Sequence, residues 1–233
     1  MTPLQRVILY TVDLLILGLL TGLVVRRRYA ACYSFFLQLV AVLASDLLLV
    51  FWPDPFYTKK FWLIKDSVLY LLALVIAVEL TIRTFRAFPG AHWTARRLLF
   101  AILALTTALA VLAFPREPSD ITSTLAEQVY PSLLNGAVWL FTGIAALILW
   151  YRLPVDPLHK AILIGFVPYL IVFTVVLNWL HTFGWEQLAE RLSYLESSAC
   201  LVVVAYWAYA AWHPSRVPAQ APELVAYAVE RPT

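Results

Sequence analysis

The sequence predicts an all-α, polytopic membrane protein, a seven-transmembrane-helix bundle with its N-terminus outside and its C-terminus inside. Three observations carry that reading. Of the 233 residues, 62% are hydrophobic and only 13% charged. A soluble domain of this length cannot bury that much apolar surface, so the bilayer is the expected solvent. Apolar runs of about 20 residues, long enough to cross a bilayer core, recur along the chain. The basic residues are distributed unevenly between alternate connections, which sets an orientation. Nine Trp and twelve Tyr suit lipid interfaces, which favour amphipathic rings.

The first span, 5–25, ends in Arg26, Arg27 and Arg28 and has no small-residue cleavage site, so it is expected to remain a helix. It carries Asp13 near its middle. It also carries Gly18-x-x-x-Gly22, a spacing that lets another helix approach closely. Packing within the same bundle is the plainer reading of those glycines; a homodimer is the sharper one. The second span, 33–52, contains Gln38 and Asp46 and stops at "WPDPF". The third, 61–82, has Asp66 near its start and Glu79 four residues before Arg83, the favourable order for a helical ion pair. The fourth, 97–114, is short, uncharged after Arg97, and ends at Pro115. The fifth, 132–151, begins with Asn135 in its first turn and stops at "RLPVDP". The sixth, 160–181, is interrupted by Pro168, which removes a backbone hydrogen bond and predicts a kink, and it closes on Asn178 and His181. The seventh, 192–212, opens with Glu196, Ser197 and Ser198. Residues 1–213 thus make the transmembrane domain, and 214–233 a Pro-rich cytoplasmic tail.

The connections are punctuated by Pro and Asp, where Pro stops one helix and Asp can cap the next. Two are richer than loops need to be. "SDITSTLAEQVY" and "WEQLAERLSYL" place apolar residues at helical spacing, as short interfacial helices or as extensions of the fifth and seventh spans.

Arg26–Arg28, then Arg83, Arg86, Arg96 and Arg97, then Arg152 and Lys160, then Arg216 and Arg231 follow the first, third, fifth and seventh spans. Most loop acids fall on the opposite face, so the positive-inside rule puts the C-terminus in the cytoplasm and the protein in the cell inner membrane. Lys59, Lys60 and Lys65 dissent.

A retinal protein needs a Schiff-base lysine in its last helix, and none lies between Arg191 and Arg216, which excludes that cofactor. Metalloprotease, Cys-x-x-Cys, phosphate-loop and nucleophile-elbow motifs are also absent, so the expectation is no enzyme, no metal and no cofactor. Cys32 and Cys200 sit on different helices and do not suggest a disulfide framework. No basic-aromatic soluble module suggests nucleic acid.

A charge at mid-membrane costs roughly 2.5–3.5 kcal/mol on insertion scales, so polar side chains within spans face the bundle interior and find partners. In the deduced orientation Asp46, Asp66, Asn135, Asn178, His181 and Glu196 fall at similar depth toward the outside. They are the expected lining of an outward-facing ligand pocket, the alternative being interfacial or helix-packing polar contacts. Glu196 would end a network with Asn178 or His181, or pair with Lys59, Lys60 or Lys65. Glu79 and Arg83 are read as a structural ion pair.

The stretch "FYTKKFWLIKDSVLYLLALVIAVELTIRTFRAFPG" resembles a family of seven-helix membrane proteins of unknown function from bacteria, especially acidobacterial genomes. The residues that carry the likeness are Phe61, Trp62, Glu79, Arg83, Phe85, Arg86, Phe88 and Pro89, with "PLHKAILIGFVPY", Pro157 to Tyr169, resembling the entry to the family's sixth helix. The resemblance implies architecture and no catalytic residues. Three functions fit: a receptor-like or sensor-like protein that binds a ligand or partner, an accessory subunit of a larger membrane complex, and a small-molecule transporter. The partners expected are the lipid bilayer and a membrane protein, which would be another subunit or a second copy of the chain. The two halves of the chain show no clear self-similarity, which weighs against a repeat-built carrier.

Overall fold

Apolar runs bounded by Arg-rich and Pro-Asp stops fold as helices throughout, and no strand occurs among the described residues. The computed structural model describes residues 3–85, 130–151, 155–183 and 185–213, with isolated positions 93, 97, 100, 101 and 104. Within these lie α1 (Pro3–Val25), α2 (Tyr33–Phe51), the single turn α3 (Pro53–Phe56), α4 (Lys59–Phe85), α5 (Tyr130–Tyr151), α6 (Pro157–Phe183) and α7 (Trp185–Trp212). Segments of α1, α2, α4, α6 and α7 make five helices long and apolar enough to cross a membrane, and α5 holds a shorter apolar stretch, Asn135–Trp150. The predicted fourth span falls almost wholly outside the described residues, although Arg97, Phe100, Ala101 and Ala104 within it are helical. The tail 214–233 and "SDITSTLAEQVY" up to Val129 also lie outside them. "WEQLAERLSYL" is the first part of α7 itself, continuous with the span. α6 likewise runs unbroken through Pro168.

The helices close into a ring. α1 packs on α2, α2 on α4, α4 on α5, α5 on α6, α6 on α7, and α7 returns to α1. Inward residues such as Leu19, Phe35, Ile76, Leu80, Phe141 and Ile162 are buried. Outward ones such as Leu14, Leu149, Trp150 and Val202 are exposed, the pattern of helices whose outer faces meet lipid.

One end of the ring is tied around the turn between α1 and α2. Arg27 leaves α1 in the left-handed region, at φ 54°, and a 3-10 turn, Arg28–Ala31, leads into α2. The start of α2 has orphan backbone N–H groups and no cap from its own Cys32. α4 supplies the cap: Glu79 accepts from the Tyr33 N–H at 3.0 Å, the Ser34 N–H at 2.8 Å and the Ser34 hydroxyl. Burial pushes the Cys32 thiol up to about 11, so it remains an S–H and donates to the same carboxylate. Arg83 pairs with Glu79 at 2.7 Å and donates to the Ala30 carbonyl. From α6, the His159 Nε2–H donates to the Ala31 carbonyl at 2.8 Å. The Glu-x-x-x-Arg stretch is thus a helix cap delivered from a neighbouring helix, completed by an ion pair.

α7 is fastened by two indoles. The Trp207 N–H donates to the Ala161 carbonyl of α6 at 3.0 Å, and the Trp212 N–H to the Gly18 carbonyl of α1 at 3.1 Å. The rings lie over glycines. A methyl group built at Gly165 would stand 2.2 Å from Trp207 Nε1, and one at Gly22 would stand 2.9 Å from Trp212 Nε1. Gly18 has open space where a methyl would go. Gly22 therefore serves contact between α1 and α7 of one chain.

Candidate functional site

The ring encloses a cavity of about 360 Å³ lined by residues of all six of its helices. At the end nearest the α2–α4 connection stand Asp46, Lys65, Asp66 and Glu196, with Trp62 beside them. Lys65 Nζ lies 2.6 Å from Asp46 Oδ1 and 5.0 Å from the centre of the Trp62 ring. Lower down, the wall carries Tyr70, Tyr169, Phe173 and Cys200. The far end is a floor of buried aromatics. Phe35 meets Trp207 edge-on at 5.0 Å, Phe166 lies 4.9 Å from Trp207, and Phe141 stacks on Phe166 at 4.8 Å. The Trp207 hydrogen bond to α6 locks that floor in place.

Of the residues expected at an outward pocket, the structure brings Asp46, Asp66 and Glu196 to one cavity. Asn135 does not join them. It is exposed, and Ala137 is the lining residue of α5. Two residues along a helix turn by about 200°, so Asn135 and Ala137 face opposite sides. The side chains of Asn178 and His181 lie outside the described residues. Glu196 does not take Lys65, which is held by Asp46; it lies instead within electrostatic range of Asp66. Asp13, expected from sequence to point inward to a lysine or a helix-helix hydrogen bond, lies within electrostatic range of Asp46 and Lys65, and its Oδ1 is buried without a hydrogen bond among the described residues.

Lys65, one of the three lysines that dissent in the orientation argument, lines the cavity. Tyr70, Tyr169, Cys200 and Trp207 were not expected at the site. Their signal was present as helical spacing: Asp66 and Tyr70 on α4, Phe166, Tyr169 and Phe173 on α6, Glu196, Cys200 and Trp207 on α7 each fall on one face.

Lys65→Met is expected to destabilise the protein, because it strands the Asp46 carboxyl in a low-dielectric site. The loss should be about 1–2 kcal/mol, below the range for a fully buried pair, because both side chains keep some exposure. Asp46→Asn combined with Lys65→Met should recover part of it. Thermal unfolding of the single and double variants measures the coupling, and strict additivity would show that the pair contributes nothing.

The chain matches no protein-family model, no curated protein and no solved structure.

Proposed function

We propose that the protein is a receptor-like integral membrane protein of the bacterial inner membrane that binds a small ligand in the central cavity, with the N-terminus outside. The observation that carries this reading is the asymmetry of the cavity. Its polar end is formed by Asp46, Asp66, Lys65 and Glu196 next to partly exposed Trp62, while its far end is closed by buried Phe35, Phe166 and Trp207. Concave, mostly apolar sites with a few convergent polar groups are the usual form of small-molecule pockets. A blind site holds a ligand without passing it on. The positive-inside distribution assigns the polar end to the outer side, and the seven-span count and the bacterial resemblance belong to the same proposal.

The transporter alternative has the cavity itself in its favour but requires the aromatic floor to part. Vesicles containing purified protein separate the two. The receptor reading expects saturable, stoichiometric binding of a ligand with no accumulation in the lumen. Lumenal uptake that depends on the protein would replace it with the carrier reading.

A further inference from the structure

Among its described lining residues the cavity holds more carboxylates than cations. Asp46, Asp66 and Glu196 line it, and Asp13 lies within electrostatic range of Asp46. Among the described residues of the lining Lys65 is the only lysine or arginine, and it is already engaged by Asp46 at 2.6 Å. Asp66 and Glu196 face each other's field with that single ammonium between them and neutrality. On a wet surface such an excess is dispersed by solvent and salt. Among packed helices it is not, and it must be met by bound protons or by a bound cation.

A second, independent observation is an unpaired acceptor in the lining. Tyr169 of α6 lines the cavity together with Tyr70, Glu196 and Cys200. Gln38 of α2, also in the lining, has a buried amide oxygen with no donor among the described residues, and the carboxylate oxygen Oδ1 of Asp13 is likewise buried without one. Buried polar groups are normally paired, and those left open here are chiefly acceptors. The missing component is therefore a donor with positive charge. No group of three or more His, Cys, Asp or Glu among the described residues is arranged to hold a metal ion. The remainder of the lining is apolar and aromatic, and suits a hydrocarbon body.

We infer that the ligand is an organic ammonium ion with an aryl or alkyl body, its N–H groups donating to Asp66 and Glu196 and its body lying over Tyr169 and Phe173 toward Trp207. This inference rests on the ligand-binding reading above. The cavity's volume of about 360 Å³ sits at the small end of ligand pockets, which favours a compact amine.

Phenethylammonium, phenethyl alcohol and phenylacetate share a ring and differ in the charge of the head. Their binding to the full chain in lipid nanodiscs is the test. The ammonium should bind saturably and at least about tenfold tighter than the alcohol, a difference of about 1.4 kcal/mol, and phenylacetate should not compete. Asp66→Asn with Glu196→Gln should abolish the preference for the ammonium and leave the alcohol's weaker binding in place. Ala73→Phe, which fills the cavity from α4, should remove both. Equal affinity for alcohol and ammonium would mean that protons already neutralise the carboxyls, and would overturn the ammonium inference while the pocket stands. If no probe binds saturably, or if Ala73→Phe changes nothing in a variant that still unfolds cooperatively, the pocket reading falls with it.

Discussion

Replacing Gly165 by alanine is expected to cost about 3 kcal/mol of stability, the upper part of the usual range for overpacking a filled site. The new methyl would stand 2.2 Å from Trp207 Nε1 and 2.6 Å from its Cε2. The indole cannot swing aside freely, because its N–H is bonded to the Ala161 carbonyl and its ring is wedged against Phe35 and Phe166. The apparent Tm should fall by about 6–12 °C for a chain of this size. The other glycines of the bundle grade the effect. Gly22→Ala meets the more exposed Trp212 at 2.9 Å and should cost about 1 kcal/mol. Gly18→Ala meets nothing within 4 Å and should be neutral or slightly stabilising, since alanine is the better helix former. Thermal unfolding of the three variants in one detergent checks the order. A Gly165→Ala protein as stable as Gly18→Ala would mean that the Trp207 floor is not rigid.

Glu79→Ala should cost about 3 kcal/mol as well, for a different reason. It leaves the Tyr33 and Ser34 N–H groups and the Arg83 guanidinium without their acceptor at the start of a membrane helix. Glu79→Gln keeps an acceptor for one of these donors but turns an amide toward Arg83, so about half of the loss should remain. Amide hydrogen exchange gives the sharper readout: protection should fall first at the beginning of α2. A loss spread evenly over all helices would contradict the cap.

Helix positions were legible in the sequence because hydrocarbon length and Pro, Asp and Arg stops act locally. The starts of α6 and α7 were set late, since Asp156 caps α6 through the Leu158 N–H at 2.8 Å and the amphipathic turn from Trp185 continues into the span. Asp46, Asp66 and Glu196 were legible as a group because charged side chains in hydrocarbon must face inward and equal depth limits their partners. Asn135 shows where depth alone fails: it has the right height and the wrong side of α5. Pairing was not legible either. Whether Lys65 joins Asp46 or Glu196 depends on which helices are neighbours in the ring, and that order is a property of packing between distant segments. The same holds for Glu79. Its spacing to Arg83 is visible in the chain, but its larger role, capping α2, depends on the contact of α4 with α2.

The central claim is that the cavity is a ligand site, and copurification tests it most directly. The wild-type chain and Ala73→Phe would be isolated from native membranes in mild detergent and examined by native mass spectrometry. The account predicts a small-molecule adduct on the wild type, near one per chain, that is missing from Ala73→Phe. An adduct carried equally by both proteins, or a wild type that carries only a stoichiometric protein partner and no small molecule, would contradict it.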